Sequence, residues 1–192
     1  MSSAPQPKPR SKKEPLYDES QVVIHPEATV VQDAVFKGKV TIGKGTVIHP
    51  LAQILAHEGE IVIGDNCVIA ENVHILNSDT SKTLQIGNKN QFGTGAKVQA
   101  SVGNSNNFGA RCEVLADVIV SDYCVVGPQT TLRSRALDPS QPEVIPSYTV
   151  VFGSNSDRRA WDASAAQEEA SAREKHLEYL REVLPKFYRV RK

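Results

Sequence analysis

The chain has 192 residues, enough for one sizeable core and an appended element. Lysine plus arginine equals aspartate plus glutamate at 22 each, so no global charge indicates nucleic acid or an anionic membrane as the partner. No apolar run approaches the roughly 20 residues that span a bilayer. Three cysteines, an odd number, favour a reducing cytosolic setting. We therefore expect no nucleic-acid binding and no membrane insertion.

Residues 1–20 are predicted to be a disordered N-terminal arm. Four prolines disfavour both helix and strand pairing in this segment, and its basic residues keep it solvated. It lacks the apolar core of a signal peptide. We expect a flexible tail, and a partner-binding tail is the alternative. The prolines are Pro5, Pro7, Pro9 and Pro15.

A six-residue period organises residues 21–154. A large apolar side chain recurs every six residues with a smaller residue two positions earlier, which neither a helix nor a simple strand explains. This period predicts short strands joined by tight turns, the hexapeptide β-helix pattern. We expect the large residues to form the structural core. They are Ile24, Val30, Phe36, Ile42, Ile48, Ile54, Ile63, Ile69, Ile75, Ile86, Phe92, Val98, Val102, Phe108, Val114, Val120, Val126, Leu132, Ile145 and Val151.

When the repeats are grouped in threes from Ile24, every break in the six-residue period falls at the end of a group. If three strands make one triangular coil, an insertion is tolerated only where a loop can leave a corner outward. The sequence therefore predicts an all-β repeat fold of about six or seven stacked coils, with all loops at one corner. The inserted segments are His57–Glu60, Asn77–Lys82 and Ser134–Pro142.

The smaller positions of the repeat are predicted to fill the narrow interior. Cys67, Cys112 and Cys124 occupy such positions, where a thiol acts as a small apolar group rather than as a catalyst or metal ligand. Asn90 and Asn106 occupy the same position of successive coils. We expect a stacked amide ladder there, with a ligand contact as the alternative.

Residues 155–192 are predicted to form a C-terminal helix and tail packed on the β-helix. From Ser164 the chain is rich in alanine, glutamate, arginine and leucine, and Pro185 is expected to end the helix. One narrow apolar stripe must be buried, against the β-helix or, alternatively, against another chain. The expected docking residues are Leu177, Leu180 and Leu184, helped by Phe187 and Tyr188.

The histidines do not form a zinc site in this arrangement. A zinc site needs about three converging imidazoles, whereas the five histidines fall on different faces, loops or the helix. We therefore expect no catalytic, metal-binding or cofactor-binding residue. An acyltransferase of this fold needs a general base, for which only His57 or His74 could serve. The others are His25, His49 and His176.

Four stretches carry a family resemblance. Their sequences and their order along the chain resemble the dynactin subunit 6 family, and the resemblance extends over about residues 21–190. The closing Leu-x-x-Leu-x-x-x-Leu-Pro helix is the specific part, since hexapeptide repeats alone occur in many enzymes. The proline-rich arm and the loop at residues 134–142 depart from the family pattern. The stretches are residues 40–50, 61–71, 143–153 and 177–188.

The resemblance implies a left-handed β-helix and a non-catalytic structural subunit of dynactin, the activator of cytoplasmic dynein. The implied place is the pointed-end complex, beside dynactin subunit 5 (a sister β-helix), an actin-related protein and a large zinc-binding subunit. Dynein and cargo membranes would be indirect partners in microtubule-based transport, and the location would be the cytoplasm and its cytoskeleton. No cofactor is implied. The alternative is a hexapeptide-repeat enzyme, an acyltransferase or a γ-type carbonic anhydrase.

Overall fold

The structure is a computed structural model that describes residues 21–138, 140–162, 164 and 166–191. The predicted N-terminal arm, residues 1–20, lies outside the described residues. Within these residues, twenty short strands precede one helix. No helix in the described ranges is both long and apolar enough to cross a membrane.

The strands and the helix have the following bounds in chain order. They are β1 (Val22–Ile24), β2 (Thr29–Val30), β3 (Val35–Lys37), β4 (Val40–Ile42), β5 (Val47–Ile48), β6 (Gln53–Ala56), β7 (Ile61–Ile63), β8 (Val68–Ile69), β9 (His74–Asn77), β10 (Leu84–Ile86), β11 (Gln91–Phe92), β12 (Lys97–Val98), β13 (Asn107–Phe108), β14 (Glu113–Val114), β15 (Val118–Val120), β16 (Val125–Val126), β17 (Thr131–Leu132), β18 (Glu143–Ile145), β19 (Thr149–Phe152), β20 (Asp157–Ala160) and α1 (Ala166–Phe187).

The strands stack in parallel as three faces of a prism. Face one contains β1, β4, β7, β10, β15 and β18; face two contains β2, β5, β8, β11, β13, β16 and β19; face three contains β3, β6, β9, β12, β14 and β17. Face one is continuous because Val102 bridges Ile86 below it and Val120 above it. The left-handed β-helix with a C-terminal helix, predicted from the sequence and its resemblance, is confirmed.

The six-residue register is confirmed along the prism. On face one Ile42 pairs with Ile63, and Ile63 pairs with Ile86. Equivalent pairs continue on the other two faces, so that large side chains lie above one another at the strand separation of about 4.8 Å. The apolar core is therefore a column inside the prism rather than a layer between two sheets.

The predicted insertions all leave the corner between faces three and one. They lie between β6 and β7, between β9 and β10, and between β17 and β18. Asn77 belongs to β9 rather than to its loop, and its Nδ2 donates to the carbonyl oxygens of Glu60 and Lys82, each at 2.9 Å. This side chain therefore ties two of the loops together at their base.

A ladder of hydrogen bonds between successive turns follows the corner between faces one and two. The N–H groups of Lys44 and Asp65 donate to Asp65 Oδ1 and Asn88 Oδ1, each at 2.7 Å. The N–H of Asn88 donates to Asn104 Oδ1 at 2.8 Å, and that of Asn104 to Asp122 Oδ1. The ladder satisfies turn amides that strand pairing leaves without a partner.

The C-terminal segment departs from the sequence prediction in two ways. Strand β20 pairs antiparallel with β19, beyond the predicted β-helix boundary at residue 154. Helix α1 continues through Pro185 to Phe187, so the prediction that Pro185 ends the helix is wrong. Proline has a helical φ and lacks only its N–H donor, and the Tyr188 N–H still donates to the Leu184 carbonyl at 2.9 Å.

Candidate functional site

The predicted core residues line the inside of the prism. Ile24 is only half-buried, because it belongs to the first described coil and, among the described residues, no coil lies beneath it. The others are buried in one continuous cluster. They are Ile42, Ile48, Ile63, Ile69, Ile86, Phe92, Phe108, Val126 and Ile145. This cluster of buried apolar side chains therefore contains no polar cavity for a ligand.

The cysteines are free and buried in the same interior. Burial raises the pKa of Cys67 and of Cys112 to about 12, and it also raises the pKa of Cys124. A buried thiol that stays protonated at physiological pH is a poor nucleophile. These positions therefore act as small core groups.

Asn90 and Asn106 form a ladder through the backbone rather than by direct amide contact. Asn90 Oδ1 accepts from the Asn106 N–H at 2.9 Å, and Asn106 Oδ1 accepts from the Cys124 N–H at 2.6 Å. The Asn90 amide also donates to the carbonyl oxygens of Gly87 and Gly103. Both asparagines are fully buried, so their role is to join coils.

Helix α1 docks on face two through the three predicted leucines. Leu177, Leu180 and Leu184 are buried in a separate apolar cluster with Val31, Val47 and Val68. Phe187 is 77% exposed and Tyr188 is 43% exposed, so the expectation that they help docking is wrong. The chain leaves the helix at Tyr188, so these rings do not continue the stripe.

Arg181 fixes the rotation of α1 against the prism. Its Nε donates to the Gly45 carbonyl at 3.0 Å, and a terminal nitrogen donates to Asn66 Oδ1 at 2.6 Å. A Cβ on Gly45 would lie 2.1 Å from the guanidinium, and the φ of Gly45 is +63°. The positive φ favours glycine here, and a side chain would displace the Arg181 guanidinium from this position.

The helix does not touch face two along its whole length. A cleft of about 380 Å³ lies between its upper part and the sheet, with Val68 and Leu177 at one end and Tyr123 and Trp161 among its walls. Arg173 lines this cleft and donates to the Ser105 carbonyl at 3.0 Å. The sequence prediction of a docked helix did not include this cleft.

Chain segments from the C-terminal region seal the upper end of the prism. Strand β20 covers the edge of β19, and Ser156 Oγ donates to the Thr131 carbonyl. Arg158 pairs with Glu143 and also donates to the Arg133 carbonyl at 2.9 Å. The last coil therefore has few open strand edges.

The C-terminal tail covers part of the lower end. The Arg191 N–H donates to the Val30 carbonyl and the Gln32 N–H donates to the Arg189 carbonyl, each at 2.8 Å. The Arg191 guanidinium lies 4.9 Å from the centre of the Phe36 ring. The tail thus covers the first coil at the corner between face two and face three.

The histidines are dispersed, as the sequence indicates. In the described part of the chain, no group of three or more histidine, cysteine, aspartate or glutamate residues could hold a metal ion. His57 Nδ1 lies 2.9 Å from Lys37 Nζ, and His74 sits on face three between Gln53 and Lys97. Neither histidine has a carboxylate partner in the described hydrogen bonds or ion pairs. The remaining positions are His25 at a turn and His176 on α1.

His49 has a role that the sequence did not reveal. It is buried, and its Nδ1 lies 2.8 Å from Glu71 Oε1, while Thr94 Oγ1 donates to Glu71 Oε2 at 3.3 Å. Burial would raise the pKa of Glu71, but hydrogen bonds from its own N–H, His49 and Thr94 outweigh burial and lower it. The group joins three successive coils.

Taken together, the described residues form a prism with a docked helix and partly covered ends. The three cysteines are buried thiols, the histidines are spaced apart along the chain, and one of them, His49, is buried beside Glu71. The outer faces of the prism are flat surfaces of parallel strands.

No family model matches the chain. It is 33% identical to dynactin subunit 6 of Xenopus tropicalis, over 95% of this chain and 89% of the relative. It is 30% identical to dynactin subunit 6 of Dictyostelium discoideum, over 100% of this chain and 97% of the relative. A UDP-N-acetylglucosamine O-acyltransferase of Rhizobium rhizogenes is 40% identical over only 38% of this chain and 31% of that enzyme.

Solved structures with a similar backbone include bacterial transferases. A Bacillus cereus protein assigned as an acetyltransferase superposes with a TM-score of 0.73 at 15% identity, covering 83% of this chain and 90% of that chain. A hexapeptide transferase family protein of Anaplasma phagocytophilum gives 0.70 at 16% identity, with coverage of 86% and 92%. Identities this low show the shared fold alone. Because the dynactin subunit 6 relatives match nearly the whole length of this chain, the chain belongs to the dynactin subunit 6 family.

Proposed function

We propose that this chain is a non-catalytic structural subunit of dynactin. The observation that carries the proposal is the family relationship, which extends over 95% of the chain for the Xenopus tropicalis relative and therefore is not limited to a few repeats. The dispersed histidines and the neutral buried thiols support the absence of catalysis.

The proposal includes a place and partners within dynactin. The chain would belong to the pointed-end complex, in contact with dynactin subunit 5, an actin-related protein and a large zinc-binding subunit. Through them it would support dynein-driven transport of cargo membranes along microtubules, in the cytoplasm and on the cytoskeleton. A stiff prism suits this role, because its outer faces can hold several neighbours in fixed positions.

The alternative function is that of a hexapeptide-repeat enzyme. The shared fold with bacterial acetyltransferases favours this alternative. Such an enzyme needs a general base at a cleft between subunits. His57 is exposed and beside Lys37, and His74 lies on a flat face between Gln53 and Lys97. Neither histidine has a carboxylate partner in the described hydrogen bonds or ion pairs, whereas His49 lies 2.8 Å from Glu71 but is buried.

The experiment is affinity purification of the tagged full chain from cells that naturally make it, followed by mass spectrometry and metal analysis. The proposal predicts enrichment of dynactin components in near-equal amounts with the tagged chain, and no zinc bound to the isolated chain. Recovery of a homotrimer without dynactin components, with bound zinc or acetyl-coenzyme A hydrolysis, would favour the enzyme instead.

A further inference from the structure

A cleft separates the upper part of α1 from face two. The apolar stripe of the helix ends at Leu177, and Arg173 and Ala170 take its place one and two turns earlier. Neither residue fills the space against the sheet, because Ala170 is small and Arg173 reaches across to the Ser105 carbonyl at 3.0 Å. The space of about 380 Å³ lies within the range of ligand pockets, about 300–1,000 Å³. The cleft therefore has the size of a binding site.

Aromatic side chains form one end of the cleft. Tyr123 and Trp161 line it, and the Tyr123 ring stacks on that of Tyr148 with centroids 5.0 Å apart. Trp161 Nε1 donates to the Tyr123 carbonyl at 2.9 Å, and the Trp161 ring lies 6.1 Å from that of Tyr148. Both tyrosines are 38% exposed. The three rings therefore form a fixed aromatic surface that is open to a ligand.

The backbone of both tyrosines is unfavourable for residues of their size. Tyr123 has a φ of +56° and Tyr148 a φ of +61°, in the left-handed region that bulky side chains rarely adopt. The equivalent corner positions of lower coils hold Asn66, Lys89 and Ser105, none of them aromatic. Backbone strain that persists at an exposed site is typical of a functional surface. A contact made by the rings therefore explains them better than the turn does.

The helix side of the cleft is acidic. Glu174 and Glu178 line it one turn apart, are exposed, and have no partner in the described hydrogen bonds or ion pairs. Like charges at this spacing on a helix repel each other. Among the described lining residues, the cations Arg173 and Arg181 already donate to carbonyl oxygens, and Lys89 is the remaining cation. A ligand with several positive charges would therefore relieve the repulsion between the two glutamates.

The N-terminal arm of the same chain has the matching composition. Pro5, Pro7 and Pro9 alternate with other residues, and residues 1–13 contain four cations and no acidic residue. Proline-rich segments favour the polyproline II conformation, and such segments bind in grooves lined with aromatic rings. The arm therefore matches both the aromatic end and the acidic side of the cleft. Its four cations are Lys8, Arg10, Lys12 and Lys13.

The arm is long enough to reach the cleft. The described chain begins at Gln21 on the lowest coil, where the Gln21 carbonyl accepts from the Val40 N–H at 3.3 Å. Lys89 lines the cleft at the corner between faces one and two, on the fourth coil. At about 4.8 Å per coil, the fourth coil is about 14 Å above the first, and face one is about 15 Å wide. Residues 10–20 can span about 36 Å when extended, which covers both distances.

We propose that the proline-rich segment of the N-terminal arm, residues 5–13, binds in this cleft of its own chain. In this arrangement the prolines contact Tyr123 and Trp161, and the basic residues lie beside Glu174 and Glu178. The contact covers the exposed aromatic surface and ties the upper part of α1 to the prism. It does not depend on the place of the chain within dynactin.

The first test uses Trp161, the single tryptophan of the chain, as a probe of the cleft. Replacing Pro5, Pro7 and Pro9 together by glycine should raise acrylamide quenching of its fluorescence at least twofold and shift its emission to longer wavelength. Pro15→Gly, outside the proposed segment, is the matched control and should change neither quantity. Equal quenching in the triple variant and the control would overturn the proposal.

Photocrosslinking identifies the occupant of the cleft directly. The photocrosslinking amino acid p-benzoylphenylalanine is placed at Gln6 or, as the control, at Glu19 in the purified 192-residue chain at low concentration. Position 6 should crosslink to α1 or to the segment around Trp161 of the same chain at least ten times more than position 19. Crosslinks between two copies would overturn the choice of the chain's own arm as the occupant, and absence of crosslinks to the cleft would overturn the proposal.

Charge reversal tests the acidic side of the cleft. Glu174→Lys with Glu178→Lys should raise the quenching of Trp161 as the proline replacements do, and should add nothing once the three prolines are replaced. Glu168→Lys with Glu182→Lys reverses two exposed acidic residues outside the cleft, and should leave the quenching unchanged at a matching circular-dichroism spectrum. Equal quenching in the two double variants would contradict the charge complementarity that supports the arm as the occupant.

Discussion

The rings of Phe92 and Phe108 stack face to face inside the prism, with centroids 4.8 Å apart. This distance is the separation of neighbouring strands, so each coil adds one side chain to an apolar column. Both rings are buried, and the outward neighbour of each is a polar residue, Gln91 or Asn107. The column is what makes a chain of two- and three-residue strands stable.

Phe108→Ala tests the contribution of this column. Removing the ring leaves a cavity between rigid coils that cannot close, so we expect the free energy of unfolding to fall by about 3–5 kcal/mol. The measurement is equilibrium unfolding in guanidinium chloride. Asn107→Ala on the outer side of the same strand is the control and should change stability by about 0.5 kcal/mol or less. A loss of under about 1 kcal/mol for Phe108→Ala would count against a close-packed interior.

Leu180→Ala tests the docking of α1. Leu180 is buried against face two, so truncation should cost about 2–3 kcal/mol of docking free energy, whereas Tyr179→Ala changes an exposed neighbour. Amide hydrogen exchange of α1 should become faster in Leu180→Ala, while the amides of β6 and β9 keep their protection. Equal exchange rates in both variants would mean that the leucine stripe does not hold the helix.

Glu143→Gln tests the sealed upper end through its pH dependence. Hydrogen bonds from Arg158 lower the pKa of Glu143 below its ordinary value of 4.5. A carboxyl whose folded pKa is lowered stabilises the fold above its unfolded pKa, and this stabilisation is lost as pH falls through the folded pKa. The variant should therefore be less stable by about 1 kcal/mol at neutral pH, because the pair is partly exposed.

The same comparison in acid supplies the check. Denaturation midpoints of the two proteins should converge as pH falls from neutral through the folded pKa of Glu143, since the carboxyl is then protonated in both the folded and the unfolded states. Glu58→Gln, in an exposed loop, is the control and should leave the curve unchanged. A difference that persists undiminished in acid would show that Glu143 acts through packing rather than charge.

Leu51→Asn is expected to stabilise the protein. Leu51 has a φ of +63° and is 55% exposed, so it has neither a favourable backbone nor a buried side chain. Asparagine tolerates this conformation better, which should raise the free energy of unfolding by about 0.5–1 kcal/mol. Leu137→Asn, at an exposed leucine outside the set of positive φ angles, is the matched control. A lower thermal midpoint for Leu51→Asn would contradict this reasoning.

The sequence predicted the prism well because one period determines it. Ile42, Ile63 and Ile86 could be placed above one another, since a six-residue repeat returns the chain to the same face after three repeats. The inserted loops were placed at one corner for the same reason. A local pattern that repeats many times leaves little freedom for the overall fold.

Contacts between distant parts of the chain could not be predicted in this way. Strand β20 contains two arginines and no strand pattern, and its pairing depends on the edge that β19 leaves open. Arg191 reaches Phe36 across almost the whole sequence. The corner ladder was predictable from the repeated Gly-Asp and Gly-Asn pairs at residues 64–65 and 87–88. The prediction did not include it because it used only the large apolar residues.

We propose that the chain works as a fixed part of dynactin rather than as an enzyme. The most direct measurement is size fractionation of a clarified cell extract, with the chain at its natural level and detected by an antibody. We expect nearly all of it to migrate with a large assembly that contains an actin-related protein. If most of the chain instead migrates as a complex of three copies of itself, the account is wrong.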